Sequence, residues 1–505
     1  MALCEHNPKL SFGSISGTGT ENNHKFIIGE NYDALKNLVC TYTKNGEGLI
    51  DVIYIDPPYN TEKAKEDGND YKEEVKAEKF IYRDKFTRTG WLNMMRERLY
   101  LARKLLSPKG VIFISIDDRE QAYLKVLCDE IFGENNFVGI INCLDNLKGK
   151  ENDTYLSYTS HYILTYAKQK RDDLGFNSVP TTETIEEGYP YIDSCGNLFN
   201  KNSFKKTGAS KKREDRPFMF YPVLIQDNTI KLPEEKEYKS LYCSSKKQFK
   251  DDELKKIIKK YEELGYEVIL PKDKNSNYLR WTSSFDTCKK LIANGDLIYE
   301  NGTISQKKYP TEIELIKQSC YGTPKNFIYK EDFANATNDL NKLGIDFSNP
   351  KSVSLIKYLI SLVKSSNPCI ILDFFAGSGT TGQAVMELNE EDGGNRRCIL
   401  VTNNENGIAK NVAYERLYRV VMGNGTKGEK FQWQYSKEKP CLTNNYWDVF
   451  EIKQYELKID DYEKAQELIK KAENEFKLLN PDYVHKEFDI YNQLASLRPF
   501  SKGGK

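Results

Sequence analysis

Residues 49–61 read LIDVIYIDPPYNT. The apolar, β-branched run from Leu49 to Ile55 predicts a buried strand. Pro57 and Pro58 forbid its continuation, because neither has an N–H to give to a sheet ladder. An acid, Asp56, stands immediately before the prolines, and an aromatic, Tyr59, immediately after them. A stiff turn with a capping aspartate would account for these residues without any chemistry, so the meaning of the tetrad depends on what surrounds it.

Outward from this stretch, strand-like and helix-like segments alternate. KFIIGEN (25–31) is a short apolar run, and DALKNLV (33–39) begins a helix. Beyond Trp91, the residues Met94, Met95, Leu99, Ala102, Leu105 and Leu106 recur at helical spacing until Pro108 and Gly110 stop them. GVIFISID (110–117) is a further strand. The alternation resumes near Pro350, with a helix in SVSLIKYLISLV, the strand CIILDFF (369–375), a helix after Gly379, the strand CILVTNN (398–404) and a helix over 407–422. Such alternation predicts an α/β fold with a mostly parallel, doubly wound sheet. Neither half carries enough strands alone, so the sheet is expected to be assembled from residues 1–145 and 321–430, with an α+β domain inserted at 146–320. Residues 431–505 are polar and helix-prone, DYEKAQELIKKAENEFKLL being their best helix.

A second chemistry-bearing stretch is DFFAGSGTT (373–381), where a strand turns into a helix. Glycines let backbone pass close to a ligand, and the helix N-terminus offers free N–H groups. The third glycine of a dinucleotide fingerprint is missing, as is the lysine of a phosphate loop. With an acid ending the strand, the turn suits a ligand carrying a carboxylate and an ammonium, such as S-adenosyl-L-methionine. An ordinary structural turn is the alternative.

The tetrad has a chemical logic if the substrate is an exocyclic amine on a nucleobase. The N6 lone pair of adenine is delocalised into its ring, and two hydrogen-bond acceptors aimed at its N–H groups would favour the nucleophilic, tetrahedral form. The Asp56 carboxylate can be one acceptor and the carbonyl of Pro57 the other, held stiffly by Pro58. Tyr59 can stack on a base swung out of the helix.

Taken together, Asp56, Pro57, Pro58 and Tyr59, followed far downstream by Asp373 and the glycine turn, resemble the catalytic and cofactor motifs of β-class amino DNA methyltransferases. Further stretches, among them IIGENYDAL, GVIFISIDDRE, RPFMFYP and FSNPKSVSLI, resemble the modification (Mod) subunits of type III restriction-modification systems and solitary adenine-N6 DNA methyltransferases. The resemblance covers about residues 25–430. It implies a Rossmann-like methyltransferase domain in which Asp373, Phe375, Ala376, Gly377, Ser378, Gly379 and Thr380 hold the methionine part of S-adenosyl-L-methionine. Glu30 and Asn31 then lie near its adenine, and Phe347, Asn349 and Lys351 close over it. Glu405, with Asn404 as competitor, takes the ribose hydroxyls, unless Glu405 is merely a solvated loop acid. Aspartate rather than serine before Pro-Pro favours adenine N6 over cytosine N4. Cytosine C5 chemistry would need a cysteine nucleophile, and Cys369 opens a buried strand while Cys441 lies in the polar tail.

By the same resemblance, 146–320 is a target-recognition domain for double-stranded DNA. Its best basic cluster, KNSFKKTGASKKR, supplies Lys201, Lys205, Lys206, Lys211, Lys212 and Arg213 on what reads as a flexible loop that could track phosphates; a solvated charge run is the alternative. No ATP-binding phosphate loop occurs, so any DNA cleavage needs a separate restriction (helicase-nuclease) subunit. A homodimer is a further expectation, with the C-terminal helices either at its interface or packed on the core. The competing functions are a DNA-specificity subunit beside a nuclease partner, cytosine-N4 methylation, and methylation of RNA or a protein amide. Composition agrees with a globular intracellular protein: 505 residues, 39% hydrophobic and 29% charged, with 74 basic and 74 acidic residues. Eleven scattered cysteines without CxxC spacing argue for a reducing, cytoplasmic setting and against a bound metal. No secretory signal or membrane-length apolar run is visible.

Overall fold

The structure is a computed structural model and describes residues 1–13, 23–60, 88–144, 159–171, 175–329, 336–347, 350–364, 368–430, 441–456, 462–484 and 490–494. It divides into two compact units, one of Met1–Ser178 with Thr323–Lys505 and one of Val179–Gly322.

The first unit is built on a mixed sheet. Its main strands are β1 (Ala2–His6), β2 (Asn23–Ile28), β3 (Ile50–Ile55), β4 (Leu106–Ile116), β5 (Phe137–Leu144), β6 (Ser160–Ala167), β7 (Phe327–Tyr329), β8 (Ile370–Asp373), β9 (Arg397–Thr402) and β10 (Tyr446–Gln454), in the order β1-β10-β2-β9-β8-β3-β4-β6-β5-β7. The run from β10 to β4 is parallel throughout. β1 and β6 pair antiparallel with their neighbours.

Alternate residues of the central strands feed two apolar faces. On one face Ile27, Ile53, Ile55, Ile112 and Ile114 share a core with helices α1 (Asn31–Thr41), α2 (Arg88–Leu105) and α3 (Gln121–Phe132). α2 brings Trp91, Met95, Leu99 and Ala102 to it at four- and three-residue spacing, all fully buried. Each such large apolar side chain contributes about 1.5–3 kcal/mol by leaving water. The opposite face packs against α5 (Thr380–Asp392) and α6 (Tyr414–Met422), which follow α4 (Val353–Leu362) in the chain. Gly382 of α5 sits so close that a Cβ would fall 2.7 Å from Leu417, 2.9 Å from Leu400 and 2.9 Å from Trp447. Here glycine is required by the closeness of helix and sheet.

Two expectations are corrected. Residues 431–505, read as helical, contain β10, which lies between β1 and β2 and pairs in parallel from Tyr446 with Asn23 to Glu451 with Ile28. Its polar members hid it: Asp448 is held by Lys25 across the ladder at 2.5 Å, while Trp447, Val449 and Phe450 are fully buried. The expected helix is present as α7 (Tyr462–Leu479). Residues 160–167, grouped in sequence with the inserted region, form β6 of the main sheet, because their apolar residues complete the ladder beside β4.

The second unit consists of short antiparallel strands and short helices, the longest of them Asp251–Glu263 and Phe285–Ala293. Phe204, Tyr221, Val223, Trp281, Phe285 and Ile304 are buried together in one of its cores. Among the described residues of the chain, no helix is long and apolar enough to cross a membrane.

Candidate active site

β3 and β8 are parallel neighbours, so their carboxyl ends open at the same edge of the sheet, where open α/β sheets hold ligands. One ends at Asp56 and the other at Asp373.

Asp56 is partly exposed, and its Oδ1 accepts the Tyr59 hydroxyl at 2.7 Å. Its Oδ2 has no partner among the described residues. Pro57 is buried. The Pro58 carbonyl accepts the indole N–H of Trp91 at 2.8 Å, which pins the turn to α2. The carbonyl of Pro57 has no such partner among the described residues. Asn60, with φ of 56°, leaves the turn through a 2.9 Å bond from its amide to the buried Glu120. Burial, then the Asp56 charge, raises the Tyr59 phenol well above its usual range.

Beside this turn, Asp373 is fully buried. Its carboxylate accepts the Thr381 hydroxyl at 2.6 Å and the Phe375 N–H at 3.0 Å. No cation pairs with it among the described residues. Burial therefore pushes its carboxyl up to about 7 against those two bonds, and the Asp56 charge adds to the rise. The turn that follows needs its glycines, since Gly377 and Gly379 have φ of 51° and 77°. Ala376 N–H is tied to the Val401 carbonyl at 3.1 Å, and α5 then starts at Thr380.

Arg416 of α6 braces this turn. It is 2% exposed, and its guanidinium donates to Ser378 Oγ at 3.1 Å, Thr380 Oγ1 at 2.7 Å and Gln383 Oε1 at 2.8 Å. At the start of α1, Asn31 donates to the Phe374 carbonyl at 2.9 Å, and both Asn31 and Glu30 accept from Arg98 of α2. Glu30 and Asn31 thus lie beside the glycine turn, held there by an arginine that periodicity marks only as an exposed helix position. Trp91 was readable as core, but its indole bond to the tetrad was not. Nothing in the sequence singled out Arg416 or Glu120.

The remaining site residues divide. Phe347 is buried, and Asn349 lies outside the described residues. Lys351, expected over the cofactor, has its ammonium on Tyr59 Oη at 2.6 Å and near Asp56 Oδ1 at 3.3 Å. Past β9, the Asn404 side chain accepts the Lys410 N–H at 3.0 Å, whereas Glu405 is exposed and its carboxylate accepts from the Asn403 amide at 3.3 Å.

In the second unit the basic cluster is less free than expected. Lys201 pairs with Glu300 at 2.8 Å. Lys205 donates to the Lys272 carbonyl at 2.9 Å. Arg213 is bound to Asp251 at 2.6 Å and stacks over Phe249 and Tyr278. The segment is anchored rather than loose, because Phe204 stacks on Trp281 and the buried Arg280 holds the Ser210 carbonyl at 2.6 Å. Lys211 and Lys212 are exposed and Lys206 is half-exposed.

Among the described residues, the geometry offers a free carboxylate oxygen and a free carbonyl beside a fixed aromatic ring, next to a buried carboxylate lacking a cation. That set of acceptors fits an amine substrate and an ammonium-bearing cofactor. The DNA methylase model of N6/N4 methyltransferases matches residues 50–415. The type II methyltransferase M.KpnI of Klebsiella pneumoniae is 32% identical over 405 residues, which are 78% of this chain and 84% of that protein. The Mod subunit of the type III restriction-modification enzyme EcoPI, from Escherichia phage P1, is 32% identical over 420 residues. There the match takes in 78% of this chain but only 60% of the subunit. Among solved structures, the M1.HpyAVI–SAM complex aligns with 78% of this chain and 98% of its own at 15% identity and a TM-score of 0.31, too slight a likeness to bear on the site. From the family match and the M.KpnI identity, the chain belongs to the N6/N4 DNA methylase family.

Proposed function

We propose that this protein is a site-specific DNA methyltransferase that methylates adenine N6 on a base swung out of duplex DNA. The observation that carries the reading is a pair of acceptors without partners among the described residues, Asp56 Oδ2 and the Pro57 carbonyl, beside the tethered ring of Tyr59. Aspartate before Pro-Pro favours adenine over the cytosine amine, the other substrate class of the family.

The family's methyl donor is S-adenosyl-L-methionine. Asp373 would receive its ammonium, the turn from Phe375 to Thr380 would line its methionine part, and Asn31, Glu30 and Phe347 would border its adenine. Glu405, with Asn404 as competitor, would take its ribose hydroxyls. When bound, the cofactor supplies an electrophilic methyl carbon: the N–C bond forms from the amine lone pair while the C–S pair returns to sulfur.

The chain's own residues prepare the amine. Asp56 Oδ2 and the Pro57 carbonyl each accept one N–H, which draws the nitrogen toward a tetrahedral form and localises its lone pair. As the nitrogen gains positive charge, both contacts strengthen, so their effect falls on the transition state rather than the ground state. The extra proton then leaves through Asp56 Oδ2 to water. Stacking on Tyr59 repays part of the few kcal/mol that base extrusion costs.

Residues 179–322 are the candidate for base reading, with Lys206, Lys211 and Lys212 as phosphate contacts. Similarity to Mod subunits supports a second reading compatible with the first, in which this chain also serves a separate restriction subunit. Single-molecule sequencing of DNA from cells expressing this chain alone tests the proposal. Modified adenine in one short motif, absent with Asp56→Ala, is expected; cofactor binding without any modified base would refute it.

A further inference from the structure

Lys351 stands 292 residues from Tyr59, yet its ammonium reaches the tetrad. It lies 2.6 Å from Tyr59 Oη, 3.3 Å from Asp56 Oδ1 and 5.1 Å from the centroid of the Tyr59 ring. The hydroxyl proton of Tyr59 is already given to Asp56 Oδ1 at 2.7 Å, so toward Lys351 the phenol oxygen can only accept. Proton direction is thereby set from ammonium to phenol to carboxylate. Both contacts converge on one oxygen, Oδ1, and leave Oδ2 without a partner among the described residues. The Lys351 and Asp56 side chains are 19% and 27% exposed, so water screens their attraction only in part.

We propose that Lys351 is a positioning residue for methyl transfer, which together with Tyr59 locks Asp56 Oδ1 so that Oδ2 is the acceptor presented to the target amine. This rests on the amine-methylation reading above and adds to it. A carboxylate free to turn about its own bonds would offer either oxygen in many directions, and the Pro57 carbonyl is useful only if its partner acceptor is equally fixed. The same lysine holds the Tyr59 ring through its oxygen, from a position beyond the hydroxyl. Expulsion of Lys351 from Asp56 is not required, because the amine takes the other oxygen.

The test uses the full chain with Lys351→Met, which preserves length without charge, and Lys351→Arg, which keeps the charge. Two quantities are read: kcat for DNA methylation with radiolabelled S-adenosyl-L-methionine, and the Kd of that cofactor for the free protein by calorimetry. Positioning predicts that kcat falls ~100-fold in the methionine variant while Kd stays within about twofold, and that arginine recovers part of kcat. Weakened cofactor binding with unchanged kcat at saturation would return Lys351 to the cofactor site and overturn the proposal, as would no change in either quantity. If the methionine variant does not fold, the arginine variant is read by the same two measurements, with a reduced kcat at unchanged Kd expected. Failure of the underlying reading is distinct, since Asp56→Ala would then methylate DNA normally whatever Lys351 does.

Discussion

Replacing Asp373 with asparagine separates what this carboxylate costs the fold from what it does for a ligand. Its carboxyl is raised by burial from an ordinary 3.8 to about 7, so between those values the native state holds a proton that the unfolded chain has lost. Stability from this group is therefore fully present below pH 3.8 and is lost as pH rises through 7. With these two values, the group's contribution falls by about 2–3 kcal/mol between pH 5 and pH 8. Asparagine does not titrate. Its Oδ1 can still accept the Phe375 N–H, and the Thr381 hydroxyl can turn to accept from its amide. Urea unfolding of wild type and Asp373→Asn, without cofactor and at both pH values, reads the effect. Groups that do not feel the Asp373 charge titrate alike in the two proteins and cancel in the difference. Stability of the variant relative to wild type is expected to rise by about 2–3 kcal/mol from pH 5 to pH 8, while its cofactor Kd weakens at least about tenfold through loss of the partner for the ammonium. A stability difference that does not change with pH would show that Asp373 is not held protonated by burial. Unchanged cofactor affinity would remove it from the binding site.

Arg416→Met is expected to leave Ser378, Thr380 and Gln383 without their common donor, costing about 3 kcal/mol in urea unfolding and weakening cofactor binding, because the braced turn would loosen. Lys211→Ala and Lys212→Ala are each expected to lower DNA affinity without altering which base is modified, and to reduce the slope of log K against log salt by about 1. Arg213→Ala should instead destabilise the second unit, since it removes an ion pair with Asp251 and three aromatic contacts. A melting temperature lowered by Arg213→Ala but not by the lysine variants checks that division.

The turns at the ends of β3 and β8 were legible because their physics is local. Prolines end a strand where they stand, glycines with positive φ mark a turn, and an acid before either is visible in a short window. The parallel core was legible for the same reason, as the repeat in GVIFISID and CIILDFF is carried by adjacent residues. What stayed hidden depends on residues distant in sequence. β10 is a strand because β1 and β2 flank it, and Lys25 cancels the Asp448 charge that made it look like surface. Arg416 and Arg98 read as ordinary helix-face charges, yet Arg416 is buried against the glycine turn and Arg98 is held at the start of α1. Lys351 was matched to a cofactor motif, and only the folded chain brings it to Tyr59. In the basic cluster, composition did not distinguish lysines facing water from Arg213 stacked on aromatic rings.

The central claim is that Asp56 and the Pro57 carbonyl receive the amine of adenine. Mass spectrometry of nucleosides tests it most directly, on DNA from a host lacking its own adenine and cytosine methylation and expressing either this chain or its Asp56→Ala variant. The account predicts N6-methyldeoxyadenosine with the wild-type chain and none with the variant. N4-methyldeoxycytidine in its place, or N6-methyldeoxyadenosine that survives the loss of Asp56, would contradict it.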